Sequence, residues 1–190
     1  MMVRAGVLAC ALLAAMPAAA ADAGEEEVAA AWQRQEVDFV YMGFTTRYSC
    51  GGLRSKVKLL LLHLGARPDI KISERGCEFG FQYVADFPHL KVAFYVPDIP
   101  EEGARDAGEP VLGIWKPVVI KRNSPRGLAM GDCELVELFR DRILPKFQTR
   151  KMQGDVNCIP HQLVGNRIDL RFEVLVGAQD VAAAAQAQNQ

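Results

Sequence analysis

At 190 residues, with 22 Lys or Arg against 23 Asp or Glu and half of its residues hydrophobic, the chain is near-neutral and long enough to bury a proper core. Such a balance gives no electrostatic footprint for nucleic acid or for an anionic membrane. The apolar run near the start is too short for a membrane-spanning helix, and no later stretch approaches the roughly 20 apolar residues that one needs.

Met1 to Ala21 places Arg4 ahead of an apolar run, Ala5 to Ala15, and ends in Ala19-x-Ala21, which predicts a secretory signal peptide over residues 1–21. Val7-Leu8-Ala9-Cys10 is not read as a lipoprotein cleavage box, because most of the apolar region would then follow the cysteine. Cleavage near Ala21 sends the mature chain to the periplasm or outside the cell, with 21 basic and 23 acidic residues and four of the five cysteines. Residues 22–35, acidic and alanine-rich, read as a frayed helical extension anchored by Trp32. Glu36 to Thr46 is rich in Val, Phe and Tyr and reads as a strand, apolar on both faces around Phe39 to Phe44.

Ser49 is a good helix N-cap, and Leu53, Val57, Leu60, Leu61 and Leu64 form one stripe on a 3.6-residue period. Gly65 stands where a left-handed residue would close that helix. Short strands follow at Asp69–Glu74 and Leu90–Val96, then a connector rich in Pro, Gly, Glu and Asp. After a strand at Pro117–Lys121 the pattern recurs. Asp132 is a second N-cap candidate, Cys133 follows it as Cys50 follows Ser49, and Val136, Phe139, Ile143 and Phe147 make a second stripe that Pro145 should cut short. A weak extended piece near Arg150–Gln153 and a strand, Ile168–Val176, that alternates strictly at its start complete the domain; the Ala/Gln-rich tail 178–190 reads as disordered.

The order β-α-β-β, connector, β-α-β-β predicts a two-layer α/β sandwich of ferredoxin-like type, with helices on one face of a mainly antiparallel sheet. It makes one domain over 36–177, with halves 36–97 and 111–177 and a connector at 98–110. In a split β-α-β unit the two strands flanking a helix are parallel, so the end of the second lies at the same sheet edge as the start of the helix. Cys77 should therefore reach Cys50, and Cys158 should reach Cys133. Each bridge closes a loop of under thirty residues, worth about 3 to 4 kcal/mol in the chain-entropy model.

Phe44-Thr45-Thr46-Arg47-Tyr48-Ser49-Cys50, Gly131-Asp132-Cys133-Glu134-Leu135-Val136-Glu137 and Cys158-Ile159-Pro160-His161-Gln162 together resemble a family of small exported proteobacterial proteins of uncharacterised activity. The resemblance covers nearly the whole mature chain. It implies a periplasmic or secreted location and carries no catalytic residue across.

Chemistry-bearing patterns are sparse. There is no Gly-x-Ser-x-Gly, no His-Glu-x-x-His, no phosphate loop, no dinucleotide fingerprint and no Cys-x-x-Cys; His63 lies off the apolar stripe of its helix and reads as facing solvent or a partner, and His89 and His161 have no acidic or cysteine ligand at useful spacing for a shared metal. No catalytic residue, metal or cofactor is expected. A binding surface has more support. With the apolar stripe facing the sheet, Leu59 and Leu62 point outward from the first helix as a contact face for a partner or a second copy. Lys91, Tyr95, Asp169, Arg171 and Glu173 would line the other side of the sheet as a solvated face. The reading is an exported binding or envelope-accessory protein; its alternatives are a hydrolase with scattered Asp, Glu or His, and a thiol-redox protein. A non-reducing peptide map of the exported protein should show Cys50–Cys77 and Cys133–Cys158 with no free thiol, and crossed pairs or a reactive cysteine would refute the strand order.

Overall fold

The segment expected to fray ahead of the domain is part of its longest strand. In the computed structural model, which describes residues 26–76, 84, 86–100 and 108–179, strand β1 runs Glu27–Val40. Ala and Glu favour helix in isolation, but residues 27–32 pair with one neighbouring strand and residues 31–40 with another, so both edges of β1 are occupied. Alanines suit this place because they are small: Ala30 and Ala31 are buried, and Trp32 beside them is buried too.

After β1 come helix α1 (Cys50–His63), β2 (Lys71–Arg75) and β3 (His89–Asp98), and then β4 (Glu109–Lys121). A 3-10 turn at Met130–Asp132 opens helix α2 (Cys133–Arg142), and a second at Leu144–Lys146 leads to β5 (Thr149–Asn157) and β6 (Arg167–Gly177). The strand order is β2-β3-β1-β4-β6-β5, and every neighbouring pair is antiparallel. This overturns the expected ferredoxin-like two-layer sandwich. The molecule is mainly one antiparallel six-stranded sheet, and its two helices, of 14 and 10 residues, are short beside it. The cause lies in segments read too conservatively. The alanine-rich lead-in and the stretch ahead of Pro117 are both strand, and they meet as the central β1–β4 pair.

One core joins the sheet and the helices. Val37 and Phe39 lie opposite Val92 and Leu90, while Val118 and Ile120 lie opposite Phe172 and Leu170. The α1 stripe and Leu135, Val136 and Phe139 of α2 pack against them, and all are buried. Full burial of each such side chain contributes about 1.5 to 3 kcal/mol. Phe94 and Phe147 stack with ring centroids 5.6 Å apart, tying β3 to the turn after α2.

Helix ends follow the sequence closely. Ser49 Oγ accepts from the Gly52 amide at 3.1 Å. At the other end Gly65 takes φ 81°, its amide donates to Leu62 O, and the Ala66 amide donates to Leu61 O, the paired bonds of a Schellman motif. Pro145 lies in the 3-10 turn that replaces the end of the second helix. Cys133 and Cys158 form a disulfide with Cα atoms 5.7 Å apart. Cys50 is fully buried and not free, whereas Cys77, the signal segment 1–21 and tail residues 180–190 lie outside the described residues.

A Cβ on Gly65 would overlap the Val176 side chain of β6. Gly65→Ala therefore combines a left-handed backbone penalty with a clash, and should lower unfolding stability by about 1 to 3 kcal/mol. A urea midpoint equal to that of the parent, at unchanged m, would refute this account of the junction.

Candidate functional site

The end of β1 is drawn onto α2 by two carboxylates. Asp132, only 3% exposed, gives no side-chain cap to α2, contrary to its expected role. Its carboxylate instead accepts from the Tyr48 hydroxyl, from Lys56 Nζ at 2.6 Å and from the Ala129 amide at 2.7 Å. Lys56 also donates to Gly127 O at 2.5 Å. Burial, and then the bond to Asp132, push the Tyr48 phenol far above its ordinary range, so it stays a neutral donor. Two residues on, Glu134 Oε2 accepts from the amides of Phe44 and Thr45 at 2.9 and 2.7 Å.

Glycines let this loop close. A Cβ on Gly43 would overlap the ring of Tyr41, whose hydroxyl donates to Thr46 O at 2.8 Å, and a Cβ on Gly131 would come within 2.6 Å of Thr46 Oγ1. Two further loops join it. The disulfide anchors the 158–166 loop at the first residue of α2. Buried Asn166 closes that loop, accepting from the Ile159 amide and donating to Gln162 O, each at 2.7 Å. The His161 ring lies 5.2 Å from that of Phe44. The third loop is held by Arg47–Asp86 at 3.0 Å and by the Tyr41 amide on Pro88 O, also at 3.0 Å.

Among the described residues, these three loops carry most of the conspicuously exposed apolar side chains. Phe44 is 63% exposed, Phe87 64% and Val164 85%, with Met42 and Leu163 exposed as well. Between residues 41–44 and α2 lies a cleft of about 280 Å³, lined also by Leu138 and Pro160 and by the carboxylates of Glu134, Glu137 and Asp141. Three- and four-residue spacing puts those carboxylates on one side of α2. Burial is the main cause that raises the Glu137 carboxyl above its usual range; Arg140 opposes it, and Asp141 and Glu134 add to it. A second hollow, of about 360 Å³, is bordered by Arg54, Ser55, Lys58, Ile70 and Ile72.

The contact face expected on the first helix lies elsewhere, whereas Cys133, Cys158, Asp132 and His161 fall at this cluster. Leu59 is half-buried near Gly127, and Leu62 is 41% exposed. His63, expected to face solvent, turns inward so that its Nε2 lies 3.0 Å from Val119 O, and burial lowers its pKa. His89 pairs with Asp38 at 3.2 Å. Among the described residues no group of three His, Cys, Asp or Glu is placed to hold a metal ion, and no helix is long and apolar enough to cross a membrane. On the sheet face, Lys91 pairs with Glu36, Arg171 with Asp169, and Glu173 with Arg150 and Lys151. The Arg67 guanidinium lies over the rings of Tyr95 and Trp32. Sequence reasoning missed the loop cluster because Met42 and Phe44 continue the apolar pattern of β1. Gly43 and Thr45-Thr46 were the available signal that the strand had ended. No family model, curated protein or solved structure matches the chain.

Removing the Asp132 carboxylate strands Lys56 and frees Tyr48 from its acceptor. Asp132→Ala should cost about 3 to 5 kcal/mol, and Tyr48→Phe, which removes one bond to a charged acceptor, about 1.5 to 3. Chemical denaturation of both variants tests this ranking; a Tyr48→Phe loss as large as that of Asp132→Ala would overturn it.

Proposed function

We propose that the protein is an exported, disulfide-stabilised binding domain of the periplasm or the extracellular space, which docks a partner on the joined segments 41–49, 86–88 and 158–166. The observation that carries this reading is the exposure of Met42, Phe44, Phe87, Leu163 and Val164 at one place. Scattered apolar side chains on a surface need no explanation, but a cluster drawn from three separate loops exposes apolar area that favours a partner. The loops are also fixed in advance by the Glu134, Asn166 and disulfide contacts, so docking loses little loop entropy. Export is supported by the charged-then-apolar first 21 residues and by the Cys133–Cys158 bond, which suits an oxidising compartment.

One observation favours the hydrolase alternative: Glu137, its carboxyl pushed upward, stands near Glu134 in a concave site, as a general acid would. Against it, Glu134 Oε2 is committed to two backbone amides. The thiol-redox alternative has less behind it: the chain carries no Cys-x-x-Cys, and burial of Cys133 shields one of the two sulfurs of that disulfide, leaving only the half-buried Cys158 side open to a solution thiol.

The test is site-specific photo-crosslinking in cells. A photoreactive residue in place of Met42, Phe87 or Leu163 should give discrete adducts sharing one partner, while the same residue in place of Met152, exposed on β5, should give none. Adducts of the same kind from all four positions, or from none, would refute the docking surface.

A further inference from the structure

We infer that the anchor this cleft accepts is the cationic end of a Lys or Arg side chain, carried by a polypeptide with apolar residues on either side of it. The inference rests on the docking reading and specifies its partner. Among the described residues the cleft is bordered by three carboxylates and by no Lys, Arg or His. Their states of pairing differ. Glu134 has one oxygen committed to the amides of residues 44 and 45. Asp141 is held by Arg140 at 2.8 Å, and that guanidinium is shared with Asp155 at 2.8 Å and with Val156 O at 3.2 Å. Glu137 has no hydrogen bond or ion pair among the described residues, although it is half-buried.

An apolar or anionic occupant would bury Glu137 further without a partner and incur its desolvation. A cation reverses that sign, because it supplies the missing partner in a place where water is already reduced. A bare metal ion does not suit, since no three ligands converge among the described residues. An organic cation on a long stem does. Its methylenes can lie along Met42, Leu138 and Pro160 while the charged end reaches Glu137 and Asp141, and a guanidinium can also cover the exposed Phe44 ring. Phe87, Leu163 and Val164 are exposed on the two loops tied to the one that lines the cleft. A small free amine would leave that surface uncovered, whereas a polypeptide with Leu, Phe or Val beside its cation would cover it.

The experiment uses the full mature chain and two dye-labelled nonapeptide pools, titrated by fluorescence anisotropy. Both pools carry Leu, Phe and Val in varied flanks; one has a central Arg and the other has citrulline there, of the same shape but uncharged. The Arg pool should bind at least about tenfold more tightly than its twin, with the difference shrinking as salt rises. Glu137→Gln combined with Asp141→Asn should erase the difference while leaving the melting temperature near that of the parent. Phe44→Ser should weaken both pools. Equal affinity of the two pools, or an Arg preference that survives the double substitution, overturns the cation inference. If equal affinities are still lost in Phe44→Ser, the docking surface stands without it. Absence of binding by either pool, or binding indifferent to Phe44→Ser, overturns both.

Discussion

Everything at the loop end depends on one buried carboxylate. Taking Asp132 out of water costs several kcal/mol, and three donors offset that cost: a phenol from the loop after β1, an ammonium from α1 and an amide from the turn before α2. Because the donors come from three separate segments, the arrangement is satisfied only when all three are in place. An apolar replacement of similar volume can pack as well, yet it lacks the directed bonds that set one angle between α1 and α2. With that angle set, Glu134 falls under the amides of Phe44 and Thr45, and the Phe44 ring is turned outward. A core contact thus determines which aromatic side chain meets solvent.

Most other places where a sheet protein attracts partners are blunted. The edge strand β2 has only five residues, beginning with Lys71 and ending with Arg75. The opposite edge, β5, breaks register between Arg150 and Gln153, with Lys151 at φ 55°, and irregular, charged edges resist added strands. Charges on the sheet face are absorbed into pairs, and Arg150 covers the Trp115 ring from 4.3 Å. Against that background the loop cluster stands out by contrast as well as by its own exposure.

What could be read from the sequence, and what could not, divides along physical lines. The α1 stripe, the Ser49 cap, the Gly65 closure, the early stop at Pro145 and the alternation of β6 are local: each follows from a period or from one residue's conformational preference. The class of fold was not local. Whether Ala29 to Ala31 form helix or strand depends on β3 and β4 offering edges on either side, which no window around residue 30 contains. The same holds for the site. Leu59 and Leu62 were chosen from helical geometry alone, without sight of the chain around Gly127 that lies against Leu59. Phe44 looked like strand interior because the residue that reorients it, Glu134, lies ninety positions away. Asp132 looked like a helix cap for a related reason. Its type and place suit a cap, but Tyr48 and Lys56, more than seventy residues earlier, draw its carboxylate away together with the Ala129 amide.

The disulfide belongs to this argument as more than a staple. In the chain-entropy model a bridge over 25 residues contributes about 3 to 4 kcal/mol wherever it is put. Its position matters separately. Cys133 immediately follows Asp132 and immediately precedes Glu134, so the bond holds the 158–166 loop to the same three consecutive residues that organise the 41–49 loop. Ile159, Leu163 and Val164 are exposed, and without an anchor their loop would gain by folding them inward or onto another chain. Held at Cys158 and closed by Asn166, it presents them instead. The covalent bond and the buried carboxylate therefore act on the same surface, one fixing the loop that bears Val164 and the other the loop that bears Phe44.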